Sequence, residues 1–78
     1  MRVLVIEDDP AIAGYLDKSL AADGYAVEVR FDGESGLRAA LNETFDLLIV
    51  DRMLPQKDGL SIVTELRRRD LASPVLFL

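Results

Sequence analysis

Apolar residues fall along this chain in two rhythms. Val3 to Ile6 and Leu47 to Val50 are unbroken apolar runs, too short for helices and rich in branched side chains. Such runs predict strands covered on both faces, as in parallel sheets. Val75 to Leu78 is a third run of this kind, introduced by Ser73-Pro74. Tyr25 to Arg30 alternates instead: Tyr25, Val27 and Val29 share one face, and Ala26, Glu28 and Arg30 the other. That is the pattern of a half-wet edge strand. Helical spacing fills the gaps. Asp9 can cap a helix opening on Pro10, with Ile12, Leu16 and Leu20 as its stripe and Gly24 as its stop. Asp32 can cap a second helix carrying Leu37, Ala40 and Leu41. Asp58 can cap a third, with Leu60, Val63 and Leu66 and with Ile62 alongside. Pro55 and the Asp58-Gly59 pair mark the loop before that third helix.

The resulting order, β-α-β-α-β-α-β, predicts an α/β fold on a parallel sheet, with residues 1–78 as one domain. No internal repeat, low-complexity segment or linker interrupts it. Half of the 78 residues are hydrophobic, enough for a folded core, though a chain of this length buries a modest fraction of its surface. There is no cysteine, so no disulfide or thiolate metal site adds stability, and a reducing compartment is favoured. The formal net charge of -5 makes this segment a poor nucleic-acid binder. Its basic run, Arg67 to Arg69, stands between Glu65 and Asp70 and is read as a solvated helix end. No stretch approaches the ~20 apolar residues of a membrane span, and the opening residues run straight into three acids, unlike a signal peptide. A cytoplasmic location is expected.

Ligands of parallel α/β sheets collect beyond the carboxyl ends of the strands. Two of the apolar runs deliver acids there: Glu7-Asp8-Asp9 after the first and Asp51 after the third strand. If those strands are neighbours, several carboxylates converge, which is costly unless a cation joins them. A hard divalent ion with oxygen ligands, Mg2+ first of all, answers that need. A carboxylate beside Mg2+ can attack phosphorus, so the cluster reads as an aspartyl-phosphate site. The plainer readings stand beside this one. Glu7 and Asp8 can be solvated loop acids, and Asp9, before Pro10, is better read as a cap. Asp51 precedes Arg-Met-Leu-Pro, which is no usual turn or cap sequence.

Three segments, Val3-Leu-Val-Ile-Glu-Asp-Asp9, Asp51-Arg-Met-Leu-Pro55 and Asp58-Gly59, together with their spacing, resemble the receiver domains of bacterial two-component response regulators. The wording is most similar to the DNA-binding regulators with a winged-helix output domain. The resemblance implies a flavodoxin-like, three-layer fold with strand order 2-1-3-4. It implies a signalling module rather than an enzyme, with Asp51 as phosphoacceptor and a phosphohistidine of a sensor histidine kinase as donor. Asp8 would be a direct Mg2+ ligand, Glu7 a second acid acting directly or through water, and the backbone carbonyl of Met53 a third ligand. Asp9 would have no required catalytic part.

Receivers also carry a hydroxyl residue after the fourth strand and a lysine after the fifth, and the sequence ends at Leu78 before either. The expectation is a receiver shortened after its fourth strand, without the last strand and last two helices, and impaired in taking phosphoryl groups from small donors. One helix is about 10 Å wide, less than four strands at roughly 4.8 Å spacing require. Part of one face, over the third and fourth strands, is therefore expected to be bare, with the fourth strand an open edge. Self-association into a homo-oligomer through that face or edge follows. The alternatives are a half-domain acting mainly as a self-associating unit, and a Mg2+-dependent phosphohydrolase with an aspartyl-phosphate intermediate. Met53 counts against the latter, because such enzymes carry a second acid at that position. A dinucleotide-binding domain is disfavoured, since no glycine-rich turn follows the first strand.

Overall fold

The first two unbroken apolar runs become strands with cover on both sides. The computed structural model describes residues 1–54 and 57–78. Pro55, read above as a loop residue, lies outside them. The elements are β1 (Arg2–Ile6), α1 (Pro10–Ala22), β2 (Ala26–Arg30), α2 (Gly33–Asn42), β3 (Leu47–Val50), α3 (Gly59–Arg68) and β4 (Val75–Phe77). The sheet is parallel throughout, in the order β2-β1-β3-β4. This is the three-layer arrangement and strand order expected from the sequence.

Alternate side chains of the central strands enter two separate cores. Leu4, Ile6, Leu48 and Val50 face α2 and α3, where Ala39, Ala40, Ile62 and Leu66 meet them. Val3, Val5 and Ile49 face the opposite way, toward Leu16 and Leu20 of α1. Full burial of each such side chain is worth roughly 1.5–3 kcal/mol, which is why β1 and β3 anchor the sheet. The β2 alternation holds as well. Tyr25, Val27 and Val29 join the α1 side. Glu28 and Arg30 pair with each other at 2.7 Å on the other side.

Two helices seat differently from their predicted stripes. Ile12 is 45% exposed, and Ala13, 1% exposed, faces the sheet in its place. Successive helical residues are about 100° apart, so a small residue facing the sheet turns its neighbour outward. Leu60 is likewise exposed, while Ile62 and Leu66 carry the α3 contact. In both helices the periodicity admitted two adjacent stripes, and close packing selected one.

The helix ends follow their predicted caps. Asp9 accepts from the Ala11 N–H at 2.9 Å, Asp32 from Ser35 N–H at 2.8 Å and Asp58 from Ser61 N–H at 2.8 Å. These bonds to backbone donors hold the Asp32 and Asp58 carboxyls below the usual carboxylate range. The arginine run is a helix end, as expected. Arg68 and Arg69 reach Glu65, and Arg67 donates to the carbonyls of Leu71 and Ser73.

The bare patch is narrower than the width argument expects. Ile49 of β3 is only 4% exposed, because it packs beside Val3 and Val5 in the α1 core. Leu76 of β4 is 55% exposed. Among the described residues β4 pairs with β3 alone. No helix among them is long and apolar enough to cross a membrane.

α2 lies close to the sheet at Gly36. A Cβ there would sit 2.6 Å from Ile6 Cδ1, closer than carbon atoms tolerate. Gly36→Ala should therefore lower stability by about 1–3 kcal/mol, the usual range for overpacking. Ile6→Ala removes Cδ1, Cγ1 and Cγ2, all within 2.8 Å of that position, and should recover part of the loss in the double variant, as read by urea denaturation. Strict additivity of the two losses would show that the approach to Ile6 is not the constraint.

Candidate functional site

The acid cluster is assembled by the two central strands. The β1–β3 register pairs Ile6 with Val50, and the ladder runs one residue further. Asp51 N–H donates to Ile6 O at 2.9 Å, and Glu7 N–H donates to Arg30 O at 3.0 Å. Glu7 and Asp51 are thereby held side by side at the carboxyl edge of the sheet. Beyond that edge each carboxylate receives a local N–H. Glu7 Oε2 accepts from Asp9 N–H at 2.9 Å, and Asp51 Oδ1 accepts from Met53 N–H at 3.0 Å. Both bonds turn the chain sharply and fix the carboxylate that accepts them.

Glu7, Asp8 and Asp51 come together: one carboxylate oxygen from each lies within 4.8 Å of the others. Their exposure is graded. Glu7 is 2% exposed, Asp51 is half-buried and Asp8 is exposed. Among the described residues no lysine or arginine pairs with any of the three. Burial pushes the Glu7 carboxyl above its usual value. The Asp9 N–H opposes this, while the neighbouring Asp8 and Asp51 carboxyls push the same way. Two acids beside a buried carboxyl, with no protein cation among the described residues, form an oxygen-only donor set suited to a hard divalent ion. Mg2+ fits: its Mg–O distance of about 2.1 Å lets a common ion reach such oxygens directly or through a coordinated water.

The remaining predicted residues divide. Asp9 turns its carboxylate to the α1 backbone and acts as a cap, not as a member of the cluster. Met53 lies two residues beyond Asp51, tied to it by its own N–H, with its side chain 80% exposed. Two contributors were not foreseen. Gly59 donates its N–H to Arg52 O at 3.1 Å, and a Cβ on it would lie 2.7 Å from Asp51 O. The loop can therefore pass behind Asp51 only without a side chain at Gly59. Arg52 lays its guanidinium over the Phe77 ring, 5.2 Å from the centroid. The Asp58-Gly59 pair was visible as a turn signal, but its distance from Asp51 exists only once α3 has docked.

A carboxyl raised above its unfolded value takes up a proton on folding. Its stabilising contribution is complete at acid pH and is lost as pH rises from the ordinary glutamate value through the raised one. The lowered Asp32 and Asp58 act in the opposite sense, losing their contribution as pH falls below the ordinary aspartate value. Comparison with a single variant separates the two trends. Glu7→Gln keeps the shape, can still accept the Asp9 N–H, and can donate to Asp51. In metal-free buffer it should raise the melting temperature at neutral pH and leave it unchanged at acid pH. A lower melting temperature at neutral pH would refute the strain assigned to Glu7.

A family model described as the response regulator receiver domain matches residues 3–78. The chain is 42% identical over all of its 78 residues to the transcriptional regulatory protein DltR of Streptococcus agalactiae, and covers 35% of that protein. It is 44% identical over 78 residues to the transcriptional activator protein IrlR of Burkholderia pseudomallei, and covers 34% of it. The chain thus spans about a third of the length of these relatives. Among solved structures, the receiver domain of the Francisella response regulator 1452 superposes with a TM-score of 0.94 at 32% identity, over 97% of this chain and 63% of that one. The receiver domain of a sensor histidine kinase of Pseudomonas aeruginosa PAO1 superposes with a TM-score of 0.93 at 28% identity, over 97% of this chain and 64% of that one. That structure holds a magnesium ion in its active-site cleft.

Proposed function

This chain belongs to the response regulator receiver domain family, and from that premise we propose that Asp51 accepts a phosphoryl group from a phosphohistidine of a sensor histidine kinase. The observation that carries this reading is the convergence of Glu7, Asp8 and Asp51 without a protein cation. Asp8, Asp51 and the carbonyl of Met53 would hold Mg2+, with Glu7 acting directly or through water. The bound ion supplies positive charge against the phosphoryl oxygens. The protein's own part is orientation. Met53 N–H holds Asp51 Oδ1, which leaves Oδ2 to attack phosphorus. A new O–P bond forms, the P–N bond to the donor imidazole breaks, and the freed nitrogen takes up a proton.

The wider setting follows from the relatives. DltR and IrlR are regulators of transcription, so the phosphoryl signal would govern transcription in the cytoplasm. DNA binding would fall to a winged-helix output domain, not to this acidic segment. The 78 residues would act as one receiver unit. A second reading adds self-association, supported by Leu76 standing 55% exposed on the outer strand. Among the described residues β4 pairs on one side only, and an apolar side chain beside such an edge favours pairing with another copy.

Two measurements test these readings. Prolonged incubation with phosphoramidate, a nitrogen-linked phosphoryl donor, and Mg2+ should add one phosphoryl group by intact-mass analysis. Asp51→Asn should add none, and Asp8→Asn should slow the reaction by more than about tenfold, since losing even an outer-sphere partner of a metal costs that much. Equal modification of wild type and Asp51→Asn would defeat the assignment. For assembly, sedimentation should give a mass that rises with concentration and falls back in Leu76→Glu. A wild-type monomer at every concentration would rule out the second reading.

A further inference from the structure

One cation at the carboxyl edge is turned away from the acids beside it. Arg52 directly follows Asp51, yet its guanidinium rests on the Phe77 ring, 5.2 Å from the centroid. Among the described residues it has no carboxylate partner. Its backbone is fixed, because its carbonyl accepts from Gly59 N–H at 3.1 Å. Phe77 is fixed as well: it pairs in register with Val50, and Leu78 N–H donates to Val50 O at 3.0 Å. Phe77 of β4 thus stands beside Val50, the residue before Asp51, at the carboxyl edge of the sheet. Arg52 is exposed and adjoins Asp51 along the chain, so its side chain is free to leave the ring.

Arginine suits both resting places. Its plane stacks on an aromatic face, and its fork of donors matches phosphoryl oxygens. The two holds differ in strength. A cation over a ring at an exposed site is weakly held. A bidentate, charge-assisted pair with a phosphoryl group is shorter and stronger. While Asp51 carries a single negative charge, close to its own Met53 N–H, the ring retains the guanidinium. Phosphorylation replaces that one charge with about two and sets three phosphoryl acceptor oxygens at the same place, which reverses the order of preference.

We propose that Arg52 reads the state of Asp51: it lies on Phe77 while Asp51 is a free carboxylate, and moves to the phosphoryl group once Asp51 is phosphorylated. The move uncovers the Phe77 ring on β4 and so carries the state of the site to the outer strand of the sheet. This inference rests on the reading of Asp51 as phosphoacceptor. It involves no bond making or breaking beyond the phosphoryl transfer itself.

The test is NMR of the 78-residue chain treated with phosphoramidate and Mg2+, with intact mass giving the phosphorylated fraction. In the untreated protein the Arg52 δ-protons should show an upfield ring-current shift that Phe77→Leu abolishes. That shift should vanish in proportion to the phosphorylated fraction, and the Arg52 Nε–H should move downfield. The Phe77 ring resonances should move with phosphorylation in the wild type but not in Arg52→Gln, a surface change that leaves the core intact. Mg2+ alone should leave Arg52 on the ring. Full phosphorylation with an unchanged ring-current shift would overturn the inference and leave the phosphoacceptor reading standing. So would a shift lost on Mg2+ addition alone. A protein that gains no phosphoryl group on Asp51 would overturn both.

Discussion

Everything at the functional edge depends on the rung that pairs Ile6 with Val50. Parallel strands in register end together, so a ladder one residue longer places Glu7 beside Asp51 without any further device. That register is held by side chains on both faces of the sheet. A slip of one residue would send Leu4 and Ile6 into the α1 core and Val3 and Val5 into the other. The same slip would part the acids. The packing of a doubly buried sheet and the geometry of the acid cluster are thus one constraint.

The rung also creates a conflict. Glu7 is almost wholly buried, beside two further acids, with no protein cation among the described residues to offset it. Its raised pKa expresses that conflict. A structure selected for stability alone would place an apolar residue at the end of β1, as it does at Ile6. The acid is the kind of local inconsistency that marks a functional position. A divalent cation held by these carboxylates would turn mutual repulsion into shared coordination.

Around this edge the loops are built to stay short. Asp9, Asp32 and Asp58 begin α1, α2 and α3 by accepting from backbone N–H groups, so each chain reversal is completed within a few residues. Gly59 lets the β3–α3 loop pass against the Asp51 backbone. At the other end of the sheet Arg2 performs a different task. It reaches Glu43 at 2.7 Å and covers the buried Phe45 at 4.5 Å from the ring centroid. Such solvent-screened pairs contribute little to stability, so they tie the α2–β3 turn down without governing the fold. Glu7, Asp8 and Asp51, without a cation partner among the described residues, gather at the opposite edge.

Much of this was legible in the sequence. Unbroken apolar runs mean strands with two covered faces, and an acid directly after such a run must stand at the strand's carboxyl end. The elements, their caps, the half-wet β2 and the candidate acids Glu7, Asp8 and Asp51 follow from those local rules. What lay beyond them was decided by packing between distant segments. Ile12 and Ala13 offer two adjacent stripes on one helix, and only the distance to the sheet selects Ala13. Ile49 is buried because the α1 core extends over β3, which no width argument on isolated elements foresees. The closeness of Gly59 to Asp51, and of Arg52 to Phe77, joins residues whose spacing along the chain carries no sign of contact. Periodicity reports which face of an element is apolar. Only docking, where excluded volume and hydrogen bonds are satisfied together, settles how the faces meet.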